Sequence, residues 1–359
     1  MVDVIIIGAG ASGLVSAIVS ARRGKKVLIL EKNNKIGKKL LATGNGKCNI
    51  TNQRPTLERF HSQNPKFIAQ IFEGYTYQTV RQFFKSIGLE LVESKEGKVF
   101  PMSLQASSVV NLLKAECEQL LVEIRCDIEV NNLKKREDGY EVIHSKGSEK
   151  ADALIVATGH LSAPQLGGVD RGITFAKKLG HTVIKSSPTL VQLTSPVNNL
   201  TQLAGVKVYS QVSLRLKNGK VIHTQGDVLF TSYGISGLAI LDISRWVIQE
   251  VIHTPIVVLE IDFMPKMSHE QLLSLMKKSL VKKSKKSIEI WMQGFINKKL
   301  ILPILKPLKL QHETVGSISS NINHLEEIVK TIKCFKFKID GSRGYKGAEV
   351  ATGGVDPKR

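Results

Sequence analysis

Cysteine is scarce in this chain of 359 residues: only Cys48, Cys117, Cys126 and Cys334 occur, and no two are spaced C-x-x-C. That spacing argues against a disulfide framework and the common zinc signatures, so no metal is expected, and a reducing cytoplasm is the expected location. Long apolar runs are missing too. None approaches the ~20 residues a membrane helix needs, so no membrane span is expected. The short apolar run at the N-terminus does not match a secretory signal. Acidic residues are few, 31 against 51 Lys and Arg, for a net charge of +20. Such an excess raises the question of polyanionic partners. Much of it is local, at Lys277, Lys278, Lys282, Lys283, Lys285 and Lys286. Aromatic residues are not interleaved there, so platforms for stacking bases are absent. The expectation is the wet face of a helix whose apolar side carries Leu272, Leu275, Met276 and Leu280, with no specific nucleic-acid partner.

What the chain does have is concentrated at its start. Val4-Ile5-Ile6-Ile7 runs into Gly8-Ala9-Gly10-Ala11-Ser12-Gly13, a G-x-G-x-x-G loop. A small-residue helix from Leu14 to about Arg23 stops at Gly24. A second apolar run, Val27-Leu28-Ile29-Leu30, ends on Glu31. This is a β-α-β unit with its acid in place, and it predicts a dinucleotide site. Gly8 permits the tight turn, Gly10 leaves room for a pyrophosphate, and Gly13 lets helix and sheet approach. The N–H groups at the helix start, Ala11 and Ser12 among them, favour a diphosphate. Glu31 can accept from both hydroxyls of an adenosine ribose, and its charge disfavours the 2′-phosphate of NADP.

Further on, helices are expected near Asn64–Glu73, Tyr77–Ser86 and Ser107–Leu121, and a hairpin around Lys95-Glu96-Gly97. Val122–Ile128 and Tyr140–His144 read as strands. The run Ala153 to Val156 is a buried strand, and Ala157-Thr158-Gly159 brings bare backbone towards the same pocket. A helix at Gly172–Leu179 follows, with His181 read as a cap or core histidine. From about Leu190 short strands dominate, with Asn218-Gly219 as a hairpin turn. Helices prevail from Ser268 to about Thr331, and Gly347–Val355 turns Gly-rich again. The expected fold class is α/β. Residues 1–188 and 346–359 would form the Rossmann-like nucleotide domain, 189–265 an inserted β-rich domain, and 266–345 a helical insertion and return.

The segment Lys38-Lys39-Leu40-Leu41-Ala42-Thr43-Gly44-Asn45-Gly46-Lys47-Cys48-Asn49-Ile50-Thr51-Asn52 adds a denser pattern. It resembles the K-L-x-x-[ST]-G-x-G-[RK]-C-N-x-T-N run of the BaiN/RdsA-like, or YhiN-like, FAD-dependent oxidoreductases. Pro188-Thr189-Leu190-Val191, Gly226-Asp227-Val228-Leu229-Phe230-Thr231 with Gly234-Ile235-Ser236-Gly237, and Ala351-Thr352-Gly353-Gly354-Val355 are similar to further steps of that family, so the resemblance spans the chain. It implies FAD as cofactor and a flavin oxidoreductase activity. The candidate cofactor-binding residues are Gly8, Gly10, Ala11, Ser12, Gly13, Glu31, Lys32, Lys39, Leu40, Gly44, Asn45, Gly46, Asn49, Ile128, Ala157, Thr158 and Gly159. In the 39–52 loop, glycine N–H groups, asparagine amides and the charges of Lys39 and Lys47 can hold the pyrophosphate and ribityl chain and stabilise a reduced flavin. The loop is not a P-loop, because Leu41 and Cys48 stand where that motif needs Gly and Ser/Thr. Gly226-Asp227 is not assigned to FAD.

Three departures from the family pattern stand out. His160 replaces a glycine after Ala157-Thr158-Gly159, Ser232 a histidine, and Leu238 a proline. The family's tail beyond T-x-G-G-V is also missing, so the expectation is either a truncated or partial chain, or weakened FAD binding. No residue is assigned as catalytic, and Cys48 is given a packing role. The expected reaction is hydride transfer between flavin and a small organic substrate, with NAD(P)H as a transient donor, since a second G-x-G-x-x-G is absent. The alternatives are an NAD-dependent dehydrogenase and a non-catalytic basic binding protein.

Overall fold

The computed structural model of the chain describes residues 2–62, 64–197 and 200–357. The chain divides into two compact units, Met1–Ser186 with Gly353–Arg359, and Ser187–Thr352. The last residues of the expected return segment, Lys358 and Arg359, lie outside the described residues.

The first unit is built on a six-stranded sheet. β1 (Val2–Ile7) lies at its centre, followed by α1 (Ala11–Ala21) and β2 (Val27–Leu30). β1 pairs parallel with β2 on one side and with Gly147–Val156 on the other. Glu123–Arg125 extends the parallel part next to β2. The far edge is an antiparallel meander through Gly139–His144 and Val130–Arg136. Side chains alternate across β1 as a strand's period of two requires. Ile6 packs with Leu14, Ile18, Val109 and Leu113 on one face, while Ile5 and Ile7 pack with Leu133, Val142 and Phe175 on the other. Both faces of β1 and β2 are covered, which is why these strands read as unbroken apolar runs. The run Ala153 to Val156, expected to be a buried strand, is not: it ends the strand Gly147–Val156, in which Ala153 and Val156 are exposed.

The second unit is centred on a seven-stranded antiparallel sheet. Where four short strands were expected, at Val206–Val208, Val212–Leu216, Lys220–His223 and Val228–Phe230, there are two long ones, Lys207–Arg215 and Val221–Phe230, paired as a hairpin through Asn218-Gly219. One core serves the sheet and the helices that follow it, from Val228 and Leu259 to Leu272, Ile304 and Ile328. The stretch after Thr331 rejoins the sheet, because Phe335–Ile339 pairs with Val257–Asp262.

Three local readings needed correction. The lysine-rich segment is not one helix: the helix runs His269–Lys278, and Lys282, Lys283, Lys285 and Lys286 come after it. Leu272 and Met276 are buried in it, whereas Leu275 is exposed. Val130–Arg136 is an edge strand that its Lys134-Lys135-Arg136 ending concealed. Leu238–Val251 is a helix that went unread, although Ala239, Ile240, Ile243 and Val247 bury one side of it. His181 is exposed, and its backbone N–H closes the helix Arg171–Lys178 by donating to the Ala176 carbonyl. Among the described residues, no helix is long and apolar enough to cross a membrane.

Candidate functional site

The G-x-G-x-x-G turn is built by contacts that only glycine allows. Gly8 has φ 104°, and a Cβ on it would stand 2.6 Å from the Ala157 carbonyl oxygen. A Cβ on Gly13 would lie 1.9 Å from the Gly8 oxygen, so α1 can sit on the turn only without a side chain there. Gly10 differs. Its backbone is extended (φ −81°, ψ −170°), and its Cβ would meet no heavy atom within 4 Å. Gly10 begins α1 with no side-chain cap and no acid in the first turn. The first N–H groups of a helix have no partners within it, so this end favours an anion.

A cavity of about 390 Å³ opens at this turn. It falls in the roughly 300–1,000 Å³ range of small-molecule sites. Of the candidate cofactor-binding residues, Gly8, Gly10, Ala11, Ser12, Glu31, Lys32, Lys39, Leu40, Ile128, Ala157, Thr158 and Gly159 line it. Ile7, Leu30, Ile128, Val130 and Phe175 supply apolar wall at the sheet end.

Glu31 is buried, and its carboxylate is largely engaged within the protein. One oxygen accepts from Ala9 N at 2.7 Å, and the other accepts from Asn33 N at 2.8 Å and Asn33 Nδ2 at 2.6 Å. Two acceptor sites per oxygen leave one open on the Ala9 side. In this arrangement Glu31 can take one ribose hydroxyl rather than two. Its backbone is fixed as well: Glu31 N donates to Arg125 O and Ile128 N donates to Glu31 O, both at 2.9 Å.

Lys39 Nζ donates to the His160 carbonyl at 3.1 Å, and burial lowers its pKa. Burial also holds His160 below the usual histidine range, with the Lys39 charge acting in the same direction. Lys32 and Arg171 both pair with Glu129, at 3.2 and 3.1 Å. Arg171 also donates to the Val130 carbonyl at 3.0 Å, which ties the wall to the edge strand.

The other sequence-predicted residues do not line the cavity. Gly13 lies behind the turn. Gly44, Asn45, Gly46 and Asn49 belong to an exposed loop that begins at Thr43, which does line it. The loop is tightly wound: Gly44, Asn45, Gly46 and Cys48 have φ values of 59°, 55°, 82° and 58°. A Cβ at Gly44 would come within 2.9 Å of Asn49 N. With its amide turned to satisfy its neighbours, Asn49 donates to the carbonyls of Thr51 (3.1 Å) and Val99 (3.2 Å), so it anchors the loop to the small sheet. Cys48 is buried and burial raises its pKa, as suits a packing side chain.

Sequence reasoning missed Asn33, Lys38, Glu129, Gly167 and Arg171 in the lining. Lys38 donates to Asn33 Oδ1 at 3.2 Å, and a Cβ at Gly167 would lie 2.6 Å from Asn33 Nδ2. Glu129, Gly167 and Arg171 carry no motif and reach the turn only through folding, whereas Asn33 and Lys38 flank the recognised residues Glu31 and Lys39. Among the described residues, no group of three or more His, Cys, Asp or Glu could hold a metal ion.

The profile of the HI0933-like protein Rossmann domain family matches residues 2–359. The chain is 33% identical to the 3-dehydro-bile acid delta(4,6)-reductase of Clostridium scindens, over 98% of this chain and 86% of that protein. It is 32% identical to the ribosomal RNA dihydrouridine synthase of Haemophilus influenzae, over 99% of this chain and 86% of that protein. The enzyme of that name from Escherichia coli is 29% identical, over 99% of this chain and 85% of that protein.

Proposed function

Because the chain belongs to the HI0933-like Rossmann family, we propose that it is an FAD-dependent oxidoreductase that reduces a carbon–carbon double bond conjugated to a carbonyl group. The observation that carries the reading is the cavity at the uncapped start of α1, whose floor at Gly10 is bare backbone. Its size and lining suit the ADP half of FAD. The apolar wall of Ile7, Ile128, Val130 and Phe175 receives the adenine. The open acceptor site of Glu31 takes a ribose hydroxyl, and the N–H groups of Ala11 and Ser12 bind the diphosphate. Lys39, also in the lining, supplies positive charge that would stabilise a reduced flavin. FAD supplies hydride transfer when bound. Gly44, Asn45, Gly46 and Asn49 are assigned to shaping the loop that leads out of the cavity past Thr43.

The relatives' names support the choice of acceptor. A delta(4,6)-reductase of a 3-dehydro steroid and a dihydrouridine synthase both add two hydrogens across a double bond conjugated to a carbonyl. That common chemistry reopens the nucleic-acid option set aside on the lysine cluster. NAD(P)H is assigned as a transient donor.

The test is direct. Purified protein should be yellow and should bleach on anaerobic addition of NADH or NADPH. Colour should return with either a steroid dienone or a uridine-containing RNA. Colourless protein that takes up no FAD on titration would overturn the proposal.

A further inference from the structure

A second recess lies in the first unit, away from the nucleotide turn. It has a volume of about 330 Å³, is formed by residues between Thr51 and Val80, and shares no residue with the first cavity. Four of its lining residues are aromatic, Phe60, Phe72, Tyr75 and Tyr77, and two are arginines, Arg54 and Arg59; no carboxylate lines it. Phe60 and Phe72 meet edge to face, with ring centroids 4.8 Å apart. Tyr77 is held by donating its hydroxyl to Glu93 at 3.0 Å. Tyr75 ends the helix Pro65–Gly74 and is 72% exposed, and Phe60 is 46% exposed. Neither Arg54 nor Arg59 forms an ion pair among the described residues. Here exposed rings cluster beside two cations; Arg59 feels the charge of Glu96, but the ion-pair partner of Glu96 is Lys98.

We infer that this recess holds a nucleotide of single-stranded RNA, with the base stacked on Tyr75 and Phe60 and its phosphates on Arg54 and Arg59. Stacking on aromatic faces beside arginines is how single strands are gripped, whereas a duplex keeps its base faces covered. The +20 net charge of the chain draws a polyanion towards it. Such interleaving of rings and cations is missing from the C-terminal lysines; folding assembles it instead from Arg54 to Tyr77. The inference deepens the reductase proposal by naming RNA as its substrate class. It rests on that proposal only for what the bound strand is for.

The experiment measures fluorescence anisotropy of a labelled single-stranded, uridine-rich RNA 12-mer with the full chain, across a salt series. The flavin-to-protein ratio is recorded on the same samples. Tyr75→Ala should weaken binding about tenfold. Arg59→Ala should make the slope of log affinity against log salt shallower by about 0.7 for each phosphate that the arginine neutralises. Neither change should alter flavin content, because neither residue lines the first cavity. Unchanged RNA affinity in the double variant, or equal affinity for the duplex form of the same sequence, would overturn the inference. Loss of binding in the variants of a protein that carries no flavin would uphold the RNA site and refute the reductase proposal.

Discussion

Gly10→Val separates the fold from the cofactor site. Valine suits the extended backbone at Gly10 (φ −81°, ψ −170°), and its Cβ would meet no heavy atom within 4 Å. Replacing glycine as N-cap by valine costs about 1 kcal/mol. Lower entropy of the unfolded chain offsets roughly 0.4–1 kcal/mol of that. The melting temperature should therefore move by only a few degrees. The side chain, however, stands in the cavity where a diphosphate must approach the helix start. A loss of FAD affinity of about 100-fold, near 3 kcal/mol, is expected. Gly13→Ala is the control with the opposite outcome. Its Cβ would lie 1.9 Å from the Gly8 oxygen, so α1 must shift and stability should fall by about 3 kcal/mol or more. Flavin absorbance relative to protein, with thermal unfolding on the same samples, reads both effects. A Gly10→Val protein that keeps its full flavin complement would refute the assigned diphosphate path.

Glu31→Gln should lower stability by about 1–3 kcal/mol even without cofactor, because an amide nitrogen would face N–H donors from Ala9 or Asn33; urea unfolding of the apoprotein measures this. Lys39→Met should raise the titration midpoint of His160, since the Lys39 charge adds to burial in holding it low; NMR titration of the imidazole checks the direction. Burial pushes the Cys117 thiol up to about 11, so its native-state alkylation should accelerate only as pH nears that value. The raised value also means that its contribution to stability is intact below about 8.5, the unfolded value, and is lost as pH climbs through about 11. Lys333→Met should cost the second unit about 3 kcal/mol in urea unfolding, because it leaves Asp262 in a mostly buried pair without its 2.6 Å partner and frees the carbonyls of Met264 and Met267.

The parts of the fold legible in the sequence are those in which neighbouring residues do the work. The β-α-β start was readable because Gly8, Gly13 and Glu31 all fall within one β-α-β unit. The helix expected near Tyr77–Ser86 was readable from its local pattern; in the structure it runs Tyr77–Ser86, with the Thr76 side chain capping its start. Val130–Arg136 was hidden because an edge strand needs only Val130 and Leu133 buried and leaves its lysines in water. The far wall of the cavity was hidden for another reason. Arg171 and Glu129 meet through an ion pair forty-two positions apart in number, and no local pattern encodes that. The 39–49 loop was recognised by its pattern, but its geometry was not readable. Gly44, Asn45, Gly46 and Cys48 are left-handed, and only Lys39, Leu40 and Thr43 of that region line the cavity.

The chain leaves its first unit in the strand Val183–Thr189 and returns in Val350–Val355, and these two strands pair with each other. The order of synthesis follows from this. A ribosome delivers every residue of Ser187–Thr352 before it delivers Gly353, so the second unit can mature while the first still awaits its return segment. The nascent nucleotide domain must remain unfinished throughout that interval, and chaperone dependence during translation should fall on it rather than on the unit completed inside it.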